Sequence, residues 1–142
     1  MATTGLEVVD KSLQTTHIWL DEIMEVLGPD RQVAWHVLGA VLRSLRDRLT
    51  PELAAHLGAQ LPLMIRGAYY DQYQPSKMPE KIRTVEEFQE KLQKELSGTR
   101  PVNVNDAFRT VCQVLNRHIE AHQAEKVWQA LPEQVRRLAQ AG

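Results

Sequence analysis

Two histidines near the end of the chain have the spacing of a pair of metal ligands. His118 and His122 are four residues apart, so both imidazoles lie on one helix face and would suit two positions of a zinc site. No cysteine, glutamate or third histidine stands at a companion spacing. Glu52 and His56 are also four apart, whereas two-metal helical bundles use glutamate and histidine three apart. The sequence therefore indicates no metal site, and it implies no cofactor.

The candidates for covalent chemistry are equally sparse. Cys112 is the only cysteine of the chain, which rules out an intrachain disulfide. Arg109 is the only cationic side chain within one turn on the same face, and a reactive thiolate needs a cationic and accessible setting. We expect Cys112 to be a small core residue. Neither a glycine-rich phosphate loop nor a nucleophile elbow is present, so we expect the protein not to be an enzyme.

Five residues in and around one short helix allow both a structural and a functional interpretation. Arg66 lies in an otherwise apolar segment, where a guanidinium must snorkel to water or find carbonyl and carboxylate partners. In the structural interpretation, Arg66 and the corresponding Arg136 cap a neighbouring helix or pair with carboxylates, and this is the role we expect for Arg66. In the functional interpretation, an exposed aromatic and cationic surface serves as a protein interface. The candidate binding patch consists of Gln60, Arg66, Tyr69, Tyr70 and Tyr73.

Composition and charge limit the classes of partner. The chain has 142 residues, 43% of them hydrophobic and 25% charged, with a net charge of −1. A chain of this size can bury enough surface to fold as one domain without disulfides or metals. Near-neutral charge gives no electrostatic footprint for nucleic acid or anionic lipid. The chain contains neither a signal peptide pattern nor an apolar run of membrane-spanning length. We therefore expect a cytoplasmic protein of bacterial style with no nucleic-acid or membrane partner.

Apolar side chains at three- and four-residue spacing predict an all-α fold, a single-domain helical bundle. Proline and glycine separate the helices, and short polar side chains cap their starts. We predict a flexible tail at residues 1–11, then helices that begin at Ser12 or Thr15, Asp30, Thr50, Pro62 and Thr84. Arg43 and Asp47, four apart on the second helix, are expected to pair on its outside.

The two halves of the chain resemble each other. A Leu-Pro pair is followed by an arginine four residues beyond the proline in both halves, at Leu61-Pro62 with Arg66 and at Leu131-Pro132 with Arg136. The 70-residue offset also places Val111 on Val41 and Leu115 on Leu45, so these four residues should be buried. We predict one duplicated domain at residues 12–142, with about four helices in each repeat. Repeat one is 12–72, the linker is 73–82, and repeat two is 83–142. Trp128, which replaces Gly58, is expected outside the core.

The first half also carries a family resemblance. Its segments include Leu45-Arg46-Asp47-Arg48-Leu49, Ala59-Gln60-Leu61-Pro62 and Tyr69-Tyr70. With these segments the chain resembles the bacterial domain-of-unknown-function family 2267 over nearly its whole length from Asp10. The resemblance implies an all-helical, internally duplicated cytoplasmic protein, and it implies no activity. Tyr73 departs from the family pattern, which has a tryptophan after the paired tyrosines.

Two functions of different classes follow from these observations. The first is a non-catalytic module for protein interaction or self-association that uses the candidate binding patch. The second is a small-ligand binder with a pocket between the two repeats, in which Arg66 or Arg136 holds an anionic group. A concave pocket of a few hundred cubic ångströms would favour the second function. The first is our leading expectation because no set of converging polar groups is evident in the sequence.

Overall fold

A computed structural model describes residues 4–140, and within this range the fold is entirely helical. In these residues eight α-helices follow one another, and one 3-10 turn at Pro75–Lys77 interrupts the longest connection between them. No β-strand occurs in the described residues, so the all-α prediction is confirmed. The helices are α1 Glu7–Leu27, α2 Arg31–Arg46, α3 Pro51–Gln60, α4 Leu63–Tyr70, α5 Val85–Glu95, α6 Val104–His118, α7 Ala121–Gln129 and α8 Glu133–Gln140.

Side-chain caps explain where most of these helices begin. Asp30 Oδ1 accepts hydrogen bonds from the amides of Gln32 and Val33, which α2 leaves without an intrahelical partner. Thr50, Thr84, Asn103 and Glu120 accept from the third amide beyond them at the starts of α3, α5, α6 and α7. Asp30, Thr50 and Thr84 are the caps that the sequence predicted, and a helix begins directly after each of them.

The N-terminal helix is longer than the sequence predicted. It begins at Glu7, so its first turns occupy part of the segment predicted as a tail, whereas residues 1–3 lie outside the described residues. Its N-cap residue is Leu6, which makes no capping hydrogen bond through its side chain. The usual sequence signal for a helix start is therefore missing there, and the prediction of Ser12 or Thr15 as the start is wrong.

The two central helices, α2 and α6, form the middle of the core. They pack against each other; α1 and α5 lie against both, and α4 and α8 cover their sides. Val41, Leu45, Val111 and Leu115 are completely buried, which confirms the two predicted apolar stripes. α2 is surrounded so fully that its small residues on the other face are buried too, among them Ala40 and Ser44. This burial leaves little room for the surface pair predicted on α2.

The prediction that Trp128 lies outside the core is wrong, because the residue is buried. Only 4% of the residue is accessible, and its indole N–H donates to Asn116 Oδ1 at 3.0 Å. At the corresponding place on α3, Gly58 leaves a space that the Tyr70 ring fills, so a Cβ added to Gly58 would lie 2.8 Å from Tyr70 Cε2. A tryptophan at the same place on α7 supplies its own ring to the core.

The last two helices of each half share one profile of burial. Residues 51–59 and 121–129 have the same sequence of buried, intermediate and exposed positions, and so do residues 61–69 and 131–139. α3 packs on α7 as its counterpart across the bundle.

None of the helices in the described part of the chain is both long and apolar enough to cross a membrane.

Candidate functional site

Arg66 acts on the end of the preceding helix. Its Nη2 donates to the carbonyl oxygens of Leu61 at 2.9 Å and Ala59 at 3.4 Å, where α3 leaves carbonyls without amide partners. Arg136 makes the corresponding contacts at the end of α7, donating from Nη2 to Leu131 O at 3.2 Å and Gln129 O at 3.3 Å, and its Nε also donates to Trp128 O at 3.0 Å. A cation also suits the negative end of a helix dipole. Both guanidinium groups therefore cap the helix before their own.

Gln60, also in the candidate binding patch, joins the two halves of the bundle. Its side chain is exposed, and its Oε1 accepts a hydrogen bond at 3.1 Å from the amide of Glu120, the N-cap of α7. The carboxylate of Glu120 in turn accepts from the amide of Gln123 at 2.9 Å. Hydrogen bonds from the His122 and Gln123 amides lower the pKa of Glu120 below its ordinary value. Gln60 thus has a hydrogen-bond partner in the second half of the chain.

The three tyrosines do not form an exposed patch. Tyr69 is completely buried, and its hydroxyl donates to Ala54 O at 2.7 Å. Burial raises the pKa of Tyr69 far above its ordinary value. Tyr70 packs edge-on against Tyr69 with ring centroids 4.9 Å apart, and Tyr73 lies 6.1 Å beyond Tyr70. The expected exposed aromatic surface is wrong for Tyr69, because the hydroxyl and ring are used to pack α4 against α3.

Tyr73 lies beside a charged cluster that was not predicted from the sequence. The Arg46 guanidinium lies 4.9 Å from the Tyr73 ring centroid, and burial raises the pKa of Tyr73. Arg46 Nε donates to Asp47 Oδ1 at 2.8 Å, and Nη1 donates to the carbonyls of Tyr69 and Asp71. The side chains of Arg46 and Asp47 are only 4% and 8% exposed. The predicted surface pair of Arg43 with Asp47 is therefore wrong.

Lys91 of α5 completes this cluster from the second half of the chain. Its Nζ lies 2.9 Å from Asp47 Oδ2 and 2.9 Å from Glu80 Oε1. Burial alone would lower the pKa of Lys91, but the hydrogen bonds with Glu80 and Asp47 outweigh it and raise the pKa above its ordinary value. The amide of Glu80 also donates to Asp47 O at 2.8 Å. The cluster thereby ties the predicted linker to both α2 and α5.

A polar cleft of about 380 Å³ opens beside this cluster. It lies between α2, the α4–α5 connection and the last turn of α5, and neither Arg66 nor Arg136 lines it. Arg43 forms part of its wall, with Nε 2.9 Å from Glu95 Oε1 and Nη1 donating to Ala68 O. The charged residues that line the cleft are Arg43, Arg46, Asp47, Asp71, Glu80 and Glu95.

A second ion cluster joins α1 to the end of α6. Glu22 lies between Arg117 Nη1 at 2.6 Å and His118 Nε2 at 2.7 Å, and the His118 ring stacks on Trp19 with centroids 5.0 Å apart. Burial alone would raise the pKa of Glu22, but the hydrogen bonds with Arg117 and His118 outweigh it and lower the pKa. His118 is thus engaged with α1, whereas His122 is exposed.

The structure brings together no ligand set for a metal within residues 4–140. No group of three or more histidine, cysteine, aspartate or glutamate side chains there is arranged to hold an ion. Cys112 is completely buried, as expected for a core residue, and burial raises the pKa of its thiol well above the ordinary value. Cysteines buried in this way serve as core residues rather than as reactive thiols.

These features define a helical-bundle protein with a charged cleft at the junction of its two halves. The model of one family, described as "Uncharacterized conserved protein (DUF2267)", matches residues 16–138. The chain therefore belongs to this family, and the resemblance expected from its sequence segments is confirmed. No curated protein matches the chain.

Proposed function

We propose that the protein is a non-catalytic self-association module that pairs through the exposed face of α4. Leu63 and Met64 begin this helix and remain 55% and 44% exposed. Gly67 follows Leu63 by one helical turn, and a side chain there would meet open space. The exposed face of α4 thus presents a large apolar residue beside a gap, and this face is the proposed interface.

The observation that carries this proposal is a comparison with α8. Counted from the Leu-Pro pairs, Glu133 and Arg137 occupy the positions of Leu63 and Gly67. Glu133 and Arg137 form an exposed ion pair, with Arg137 Nη2 2.8 Å from Glu133 Oε1. The local structure therefore tolerates charged residues at these positions. The helix itself requires neither Leu63 nor Gly67, so we infer that both residues contact a partner outside the chain.

The arrangement suits a second copy of the chain. If two α4 helices cross in antiparallel orientation, Leu63 of each copy fills the gap over Gly67 of the other. A two-fold interface requires such self-complementarity. The buried area offered by one eight-residue helix is small, so we expect a weak and reversible dimer.

The proposal is tested by giving α4 the residues of α8. The double variant with Leu63→Glu and Gly67→Arg should keep its melting temperature and lose the dimer in sedimentation equilibrium. Removing the partly exposed Leu63 from both copies is worth about 2 kcal/mol, which weakens dimerisation by at least about 30-fold. Val26→Glu is the matched control, because Val26 is an exposed apolar residue of α1. A monomeric wild type, or a dimer that only Val26→Glu disrupts, would contradict the proposal.

The same comparison supports a tandem duplication within one domain of residues 12–142. Repeat one would be 12–72 and repeat two 83–142, joined by the linker 73–82. The matching arginine caps support this division, and so do the ion pairs that join the halves: α5 supplies Lys91 to Asp47, and α1 supplies Glu22 to Arg117. Repeat two has one inserted residue within 97–102, so the offset between the repeats is 69 residues before this segment and 70 after it. Lys91 then corresponds to Glu22 and Arg117 to Asp47, with the charges exchanged.

We also propose a bacterial cytoplasmic location, without nucleic-acid or membrane partners, in keeping with the net charge of −1. A second candidate function, small-ligand binding, is favoured by the cleft beside Asp47. Its volume of about 380 Å³ falls in the range of small-molecule sites. A polar lining of this kind would select a ligand by its charges rather than by its apolar area.

A further inference from the structure

The cleft beside Asp47 has an excess of negative charge. Four carboxylates line it, whereas Arg43 and Arg46 are the cations among its lining residues. Even with Lys91 counted, carboxylates outnumber cations by one. Asp47 uses both of its oxygens, on Arg46 and Lys91. Glu80 and Glu95 each use one oxygen, so the other oxygen of each remains an acceptor for a ligand.

Asp71 adds a third acceptor to the cleft. Its backbone carbonyl accepts from Arg46 Nη1 at 2.8 Å, while its carboxylate has no ion-pair partner among residues 4–140. Three residues that line one cavity therefore have carboxylate oxygens without an ion-pair partner in the described chain. Their mutual repulsion falls when a cationic donor binds between them.

Arg46 contributes the opposite polarity to the lining of the cleft. Its side chain is 96% buried, and its Nε and Nη1 are engaged with Asp47, Tyr69 and Asp71. Its Nη2 makes no hydrogen bond to the described part of the chain, although Arg46 lines the cleft. A guanidinium edge that has no protein acceptor, on a side chain that is otherwise buried, suits a carboxylate or carbonyl oxygen of a ligand.

We propose that the cleft binds a small bipolar molecule, with an ammonium or guanidinium group held by Asp71, Glu80 and Glu95 and an acceptor group held by Arg46. This is the chemistry of a free basic amino acid or of a short peptide. The inference rests on the second candidate function, small-ligand binding in this cleft, and it names the ligand class. It is independent of the dimer proposed through α4.

Three flexible probes separate the charges that the cleft recognises. L-Arginine carries both groups, agmatine lacks the carboxylate, and glutarate lacks the cation. In an amide-resolved NMR titration, L-arginine should shift the Gln72 and Gln74 amides, which lie in the wall of the cleft. Agmatine should bind more weakly and glutarate weakest. Gln134 on α8 is exposed on another helix and should not shift.

Asp71→Asn is the decisive variant, because its carboxylate has no structural partner in the described chain. It should weaken L-arginine binding about fivefold, and together with Glu95→Gln about 30-fold, as expected for partly exposed ion pairs. The matched control Glu90→Gln removes an exposed carboxylate of α5 outside the cleft and should leave binding unchanged. Melting temperatures of all three variants verify that each is folded.

Different failures have different meanings. Glutarate binding as tightly as L-arginine would show that the cleft binds ligands but that the proposed class is wrong. No shift at the Gln72 and Gln74 amides with any probe at about 10 mM would overturn both the class and small-ligand binding itself. Equal binding by wild type and by the Asp71→Asn/Glu95→Gln double variant would place the probe elsewhere and also refute the inference.

Discussion

Replacing Asp47 by alanine removes the carboxylate that lies between two cations. Asp47 is 8% exposed, and its oxygens lie 2.8 Å from Arg46 Nε and 2.9 Å from Lys91 Nζ. Removing one partner from a buried ion pair costs about 3–5 kcal/mol, because a charge is left buried without compensation. Arg46 keeps the carbonyls of Tyr69 and Asp71, and Lys91 keeps Glu80. We therefore expect the lower end of that range, about 3 kcal/mol.

Urea denaturation of wild type and Asp47→Ala gives this difference in the free energy of unfolding. The exposed pair of Arg31 with Asp21 provides the matched control, since both side chains are more than half exposed and 3.7 Å apart. Asp21→Ala should change stability by less than about 1 kcal/mol. A cost below about 1 kcal/mol for Asp47→Ala, equal to the control, would refute the argument that Asp47 compensates buried charge.

Three further predictions concern the core, the caps and acid stability. Leu45→Ala and Leu115→Ala should each cost about 2–5 kcal/mol in chemical denaturation, because both side chains are completely buried; less than about 1 kcal/mol for both would reject the two apolar stripes. The melting temperature should fall on Arg66→Lys and on Arg136→Lys, since an ammonium lacks the planar fork that reaches several carbonyls. An unchanged melting temperature for Arg66→Lys would favour the functional interpretation, in which Arg66 belongs to the candidate binding patch. The pKa of Glu22 is lowered in the fold, so the ionised carboxylate stabilises the fold above the ordinary glutamate pKa, and this stabilisation is lost as the pH falls through the lower folded pKa. In urea titrations, Glu22→Gln should therefore lose less stability than wild type between neutral pH and about pH 3. Equal losses would contradict this role of Glu22.

The sequence was sufficient to predict the helices and their apolar stripes because those depend on local spacing. Leu45 and Leu115 lie in regular three- and four-residue patterns, and Thr84 precedes Glu87 in a recognisable capping pattern. The Arg66 cap was also predictable in kind, since a lone arginine after a Leu-Pro break has the carbonyls of the preceding helix within reach. These contacts join residues five to seven positions apart.

The charged cleft was not predictable because its contacts join distant parts of the chain. Helical spacing places Asp47 opposite the apolar stripe and therefore on the surface, whereas Lys91 and Glu80 cover it from α5 and the connection before α5. The signal that pointed to a covered second face was the set of small residues on α2, such as Ala40 and Ser44, both completely buried. Trp128 was misplaced for a related reason, because its partner Asn116 lies on a different helix.

The arginine caps have a consequence for the order in which the chain folds. Each cap joins residues at most eight positions apart, so the α3–α4 and α7–α8 hairpins close over short loops at little entropic cost. The contact of Arg117 with Glu22 joins residues 95 positions apart, so it contributes no stabilisation until the chain between them is already compact. Substitutions of Arg66 and Arg136 should accordingly slow folding, whereas substitutions at Glu22 should chiefly speed unfolding. The two capped hairpins would then form the nucleus around which α1 and α6 meet last.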